Sequence, residues 1–339
     1  MRRQAVVRFI AATAVAAALL APGAMTAGTL EDVRARGFVR CGIVEESPGF
    51  SSIDANGERR GFLVDQCRAV SAAVFGRFSI EFVPVTPQTS FLSLQTQRID
   101  ILAAGANWTF IRDVTLGLDY AGVNLYHSQG FLVRRNSGAR TIADLDGATI
   151  CVTQGTTAEQ NLADHFDARG IRYAAVTFAR IDQAVRAYGA DRCDALTTEQ
   201  IPLAGHASTL ADPRAHLILP EVISKEPTSL VVRQGDDRWR DVVLWSLNVP
   251  LAAEELGISQ ATVDVERRRS DDARVRRLLG VEGSLGESLT LSKDWAYDVI
   301  RLVGNYDEIW QRNFARWDLR RGVNALWRDG GLLSALPIR

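Results

Sequence analysis

The stretch Ala103-Ala104-Gly105-Ala106-Asn107-Trp108-Thr109-Phe110-Ile111-Arg112-Asp113 follows the apolar run Ile99-Asp100-Ile101-Leu102. That run reads as a strand, so the stretch lies just past a strand's C-terminal end, where open α/β sheets bind small ligands. Its useful residues are the small polar Asn107 and Thr109 and the arginine Arg112. A guanidinium presents a planar fork of donors that matches a carboxylate bidentately. Neighbouring backbone N–H groups and short polar side chains can satisfy the remaining lone pairs. The stretch reads as a carboxylate clamp; the alternative is a helix-capping turn that carries a surface arginine.

Working outward, the residues before the clamp alternate strand and helix. A short amphipathic helix over 30–36 precedes a strand over 38–44. Asp54-Ala55-Asn56-Gly57 has hairpin-turn chemistry. A helix is expected over 66–75, a strand over 80–85, a helix over 89–97 and a strand over 99–103. This βαβαβ order implies a parallel, helix-covered sheet. A second unit of the same kind follows Tyr126, with strands over 131–134, 148–152, 173–178 and 193–196 and helices over 158–169 and 181–190. Further extended pieces fall at 222–223 and 229–233, before a helix over 238–255. The last eighty or so residues read as helical: a heavily charged helix or linker over 263–279, an amphipathic helix over 294–303, and a helix over 306–314 that Asn305 can cap. The segment 322–327 closes the chain.

The chain has 339 residues, enough for two modest domains. Arg2, Arg3 and Arg8, an alanine-rich apolar run over 9–21, and the small residues of 22–28 have the layout of a secretory signal peptide, with cleavage expected between Ala24 and Gly28. The mature protein is expected to be exported and soluble. Of 39 basic residues, the three in the leader leave 36 against 40 acidic, a net charge of −4. That balance suggests neither a nucleic-acid nor an anionic-membrane partner. Cys41, Cys67, Cys151 and Cys193 are an even count in an exported chain, which favours disulfides. Three pairings are possible, and Cys41–Cys67 with Cys151–Cys193 would keep each bridge within one half of the chain. No cysteine pair has metal-ligand spacing and the four histidines are scattered, so no metal site is expected.

With these residues in view, the chain resembles the periplasmic substrate-binding proteins of polar amino-acid ABC importers, and most the branch that serves general L-amino-acid transporters. The matching motifs are Gly61-Phe62-x-Val64-Asp65, the span from Asn107 to Arg112, Gln154-Gly155-Thr156-Thr157, and Asp194 followed by Glu199. Ile223-Ser224-Lys225-Glu226-Pro227, Arg233-Gln234-Gly235-Asp236-Asp237, Val303-Gly304-Asn305-Tyr306-x-Glu308-Ile309 and the positions of all four cysteines also match. The resemblance implies two α/β lobes of the type II, Venus-flytrap kind, joined by two crossing strands near 126–130 and 227–231. It divides the chain into a leader (1–27), the first part of lobe 1 (28–125), lobe 2 with the hinge strands (126–231), the return to lobe 1 (232–262), and a helical C-terminal extension packed on lobe 1 (263–339). It further implies that Arg112 holds a ligand's α-carboxylate, helped by Asn107, Thr156 and Thr157, with Gln154 nearby. Glu199 takes the place of the aspartate that holds the α-ammonium.

Several positions depart from the family pattern. Leu63 stands where an acid is usual, Asn107 where threonine is, and Glu199 is one methylene longer than aspartate. Glu45 and Glu46 lie where the family presents side-chain specificity residues, and would favour a cationic or strongly polar side chain if they face the cleft. Trp108 flanks the clamp, either as a pocket wall or as core packing. The expected function is capture of an amino acid and delivery to an inner-membrane ABC permease, by a monomeric, non-enzymatic protein that needs no cofactor. The alternatives are a dehydratase-like periplasmic enzyme on the same scaffold, in which Glu199, Glu45 or Glu46 would act as a proton donor, and a sensor module that passes ligand to a receptor.

Overall fold

The computed structural model describes residues 28–339; the expected leader, residues 1–27, lies outside them. Two open five-stranded sheets, each flanked by helices, form two lobes. The first sheet runs Ile80–Pro84, Val39–Ile43, Ile101–Ala103, Val231–Arg233, Leu118–Tyr120. Its first three strands are parallel, as the alternation of strand and helix predicts. Val231–Arg233 runs antiparallel to both its neighbours, Ile101–Ala103 and Leu118–Tyr120, so the sheet is mixed where a parallel one was expected. Val231–Arg233 returns from the second lobe and enters against the direction of Ile101–Ala103, a long-range pairing that local patterning does not carry.

The second sheet runs Tyr173–Phe178, Ala148–Thr153, Ala195–Glu199, Gln129–Arg134, His216–Ile218. Between the sheets, Leu125–His127 pairs antiparallel with Glu226–Thr228, with Glu226 opposite His127. The crossings therefore begin a little earlier than expected: Gly130 already pairs with Thr198 in the second sheet, and Val231 with Leu102 in the first. The expected strand at 222–223 is absent, while the charged run over 263–279 forms two short helices, Val263–Arg269 and Ala273–Leu278.

The helix Phe62–Phe75 starts four residues before its expected position, because it is buried on nearly all sides and shows no polar edge at its start. Gly61 permits that start. Its φ is +139°, and a Cβ there would lie 2.2 Å from the Phe50 carbonyl oxygen. Disulfide Cys41–Cys67 ties this helix to the first strand, and Cys151–Cys193 closes a second loop inside lobe 2.

The C-terminal helices share one core with lobe 1: Trp295, Ile300, Trp310 and Phe314 are buried in the same cluster as Phe62, Val64 and Trp239. Helix Tyr306–Phe314 begins with a reciprocal cap, Asn305 Oδ1 accepting from the Glu308 N–H (2.9 Å) and Glu308 Oε2 from the Asn305 N–H (2.8 Å). Farther on, buried Asn324 reaches the first crossing strand. Its Oδ1 accepts from the Tyr126 N–H (2.7 Å) and its Nδ2 donates to the Tyr126 carbonyl (3.0 Å). Asn324→Ala leaves both backbone groups without that partner and should cost about 1–3 kcal/mol. The expected result is a lower urea midpoint; an unchanged midpoint would show that the pair adds nothing to stability.

Candidate ligand-binding cleft

Between the lobes lies a cavity of about 180 Å³, room for a small molecule. Its lobe 1 wall begins at Ala104, where the strand Ile101–Ala103 ends. Asn107 is buried, and its backbone forms a bridge with Thr228 of the second crossing strand. The Asn107 carbonyl accepts from Arg112 Nη1 (3.2 Å) and from the Tyr120 hydroxyl (3.1 Å). Arg112 sits on the short helix Phe110–Thr115, with its guanidinium over the Phe91 ring at 5.2 Å. The aromatic face and the carbonyl hold the arginine's fork at the cleft wall.

The other wall belongs to lobe 2. The strand Ala148–Thr153 leads through a tight loop into the helix Thr157–Asp167. Thr156 caps that helix, its hydroxyl accepting from the Glu159 N–H (3.3 Å) and donating to the Thr153 carbonyl (2.7 Å). The helix start faces the cavity through Thr156 and Thr157, and there a helix's partial positive charge and free N–H groups favour an anion. Glu199 ends the strand Ala195–Glu199, and its Oε2 accepts from the Thr198 hydroxyl (2.6 Å). The walls meet at one side chain: Asn107 Nδ2 donates to Thr157 Oγ1 (2.6 Å) and lies 3.4 Å from Glu199 Oε1.

Arg112, Asn107, Thr156, Thr157, Glu199, Glu45 and Glu46 all line the cavity, the last two as exposed residues at its mouth. Three of the expected site residues do not. The Thr109 hydroxyl accepts from the Arg112 N–H (3.4 Å) as the cap of the clamp helix, which takes it out of the wall. Trp108 stacks on Tyr120, with centroids 5.0 Å apart and planes 7° from parallel, and packs with the lobe 1 core. Gln154 is exposed; only its backbone takes part, the carbonyl accepting from Gln88 Nε2 of lobe 1 (2.8 Å).

Several lining residues escaped sequence reasoning. Arg180 donates to both Asp182 oxygens (2.8 and 2.7 Å) at the lobe 2 rim. This fork, with Arg186 at 2.8 Å, holds the Asp182 carboxyl down at about 2. The available cue was a pair of charges opening the helix Ile181–Gly189, a pattern shared with any solvated helix start. His127 and His206 also line the cavity, and burial pushes both imidazoles down to about 4, so both are neutral at pH 7. His127 Nδ1, His206 Nε2, Asn107 Oδ1 and Thr153 Oγ1 are buried in the cleft wall without a protein partner among the described residues. Buried polar atoms are nearly always satisfied, and four together mark a place where a polar ligand or water completes the set.

Two α/β lobes that flank one cavity, with an arginine on one wall and a helix start and an acid on the other, are the architecture of a protein that encloses a small solute. The chain belongs to the bacterial extracellular solute-binding proteins, family 3, whose family model matches residues 39–270. It is 44% identical over 334 residues to the general L-amino acid-binding periplasmic protein AapJ of Rhizobium johnstonii, covering 96% of this chain and 98% of that protein. It is 43% identical over 329 residues to the glutamate/glutamine/aspartate/asparagine-binding protein BztA of Rhodobacter capsulatus, covering 96% and 97%. Among solved structures, an ABC transporter/periplasmic binding protein from Brucella ovis with glutathione bound is 46% identical, with a TM-score of 0.90 over 92% of this chain and all of that one. A cysteine-binding protein from Campylobacter jejuni, 20% identical with a TM-score of 0.60 over 74% of this chain and 97% of that one, shares the fold.

Proposed function

We propose that this protein captures an amino acid in the periplasm and delivers it to an inner-membrane ABC importer, without altering it chemically. The observation that carries this reading is the meeting of Arg112 and Asn107 from lobe 1 with Thr157 and Glu199 from lobe 2 around one cavity. In this reading Arg112 holds the α-carboxylate, and backbone N–H groups at the start of helix Thr157–Asp167 complete its shell. Glu199 takes the α-ammonium from the opposite lobe. The ligand then ties the two lobes together, and it favours the closed form because only that form offers both ends at once.

Glu45, Glu46 and the Arg180–Asp182 pair surround the outer end of the cavity and would meet the ligand's side chain. In this reading 28–125 and the return over 232–262 make lobe 1, 126–231 makes lobe 2 with its hinge, and 263–339 is the extension. The leader over 1–27 directs export, and the mature protein works as a monomer. Names of the relatives support amino-acid binding, and the Brucella ovis neighbour is described as an ABC transporter/periplasmic binding protein. A thermal-shift panel of the twenty amino acids, with glutathione added because the Brucella ovis protein was solved with it, tests the reading. A ligand at about 100 times its dissociation constant should add roughly 2.7 kcal/mol. No shift with any of them would refute it.

A further inference from the structure

Glu226 is a carboxyl with no assigned task, placed where the lobes join. It lies on the second crossing strand, opposite His127, whose ring lines the cavity. It is 4% exposed. One oxygen accepts from Asn161 Nδ2 (2.7 Å), on the helix that starts at Thr157, while Oε2 is buried with no hydrogen-bond partner among the described residues. Buried carboxylates demand charge partners, and among the described residues none of the groups packed around this one is cationic at neutral pH. His127 is neutral, Asn161, Thr157 and Ser224 are uncharged, and the nearby Glu199 is itself an acid.

We propose that Glu226 is a positioning residue of the ligand site: a buried carboxyl that keeps its proton while the cleft is empty and releases it to solvent when an amino acid's ammonium reaches Glu199. This rests on the amino-acid reading above. Two causes hold the proton in the empty protein. Burial comes first and the negative charge of Glu199 second, together raising the Glu226 carboxyl to about 7. An ammonium beside Glu199 cancels the second cause and adds a positive charge near Glu226, so the O–H bond breaks and a proton leaves. The ligand arrives as a zwitterion and stays one; the Glu226 proton is the only one transferred.

The sign follows from the raised value. Below pH 7 binding must expel a proton already held, so affinity falls as the solution becomes more acidic; above it Glu226 is already ionised. His127 and His206, at about 4, stay neutral through this window.

Isothermal titration of the mature chain with L-glutamine, or with the amino acid giving the largest thermal shift if L-glutamine gives none, tests this in phosphate and in Tris. Affinity should weaken about tenfold from pH 8 to pH 6, and the difference in heat between buffers should report about half a proton released at pH 7. Glu226→Gln keeps the shape and an acceptor for Asn161 but holds no proton to release. Its affinity should stay at the wild type's acid-side level at every pH, with no buffer-dependent heat. Binding without proton release, or the same tenfold pH dependence in Glu226→Gln, would overturn this proposal alone. Failure of every amino acid to bind at pH 8 would overturn the capture reading and this proposal with it.

Discussion

Arg112→Ala should weaken amino-acid binding by about 30- to 5,000-fold, the range set by the 2–5 kcal/mol that truncating one partner of a buried charge pair costs. The loss is large because a carboxylate brought into the cleft is stripped of water. Without the guanidinium it keeps only the neutral N–H groups at the helix start. The fold should survive. Arg112 is half-buried on a six-residue helix, and its side chain's one hydrogen bond among the described residues is the 3.2 Å donation to the Asn107 carbonyl. Tyr120 donates to the same carbonyl and leaves it satisfied. Arg112→Lys should recover part of the affinity, since an ammonium keeps the charge but not the planar fork. Calorimetric titration measures both variants, with circular dichroism to check folding. Alanine at full affinity would place the carboxylate elsewhere in the cleft.

That Asn107 and Arg112 share one cavity wall was legible because they are neighbours in the chain. Asn107 and Arg112 lie five residues apart after a strand, and the Gly155-Thr156-Thr157 loop announces its helix. The same local view misassigned Thr109, whose hydroxyl caps the helix that positions Arg112. A short polar residue before a helix has two uses for its oxygen, and sequence does not choose between them. For Trp108 sequence left pocket wall and core packing open, and the ring takes the second, stacked on Tyr120 twelve positions along the chain. What sequence could not supply were the residues assembled by the hinge. His127 and Glu226 are paired by a strand register that joins two crossings with a whole lobe between them. Arg180 and His206 reach the cavity only because lobe 2 is folded over lobe 1. The mixed first sheet has the same origin, for Val231–Arg233 enters it after the second lobe is complete. Both disulfides, by contrast, fall on the pairing that keeps each within one half of the chain.

The Gly61-Phe62-Leu63-Val64-Asp65 motif can now be given its physical content. Gly61 lets the chain pass the Phe50 carbonyl, Phe62 and Val64 enter the core, and Leu63 reaches the cleft. Asp65 points the other way, to the C-terminal extension. Its side chain is 4% exposed and accepts from Arg312 Nε (2.7 Å), Asn313 Nδ2 (2.9 Å) and Arg68 Nη1 (3.2 Å). One carboxylate thus joins helix Phe62–Phe75 to helix Tyr306–Phe314 by two donors, Arg312 and Asn313, while Arg68 of its own helix holds it in place. Asp65→Ala should destabilise the protein by about 3 kcal/mol, the low end for a broken buried pair, because Arg312 is about one-third exposed and water can take up part of its charge. Asp65→Asn, which keeps one acceptor oxygen, should cost less. Urea denaturation followed by tryptophan fluorescence reads the effect through Trp295 and Trp310, which sit in the core shared by the extension and lobe 1. Should the midpoint of Asp65→Ala match the wild type, the extension would be held by its apolar face alone, and the aspartate would have to serve some purpose other than anchoring it.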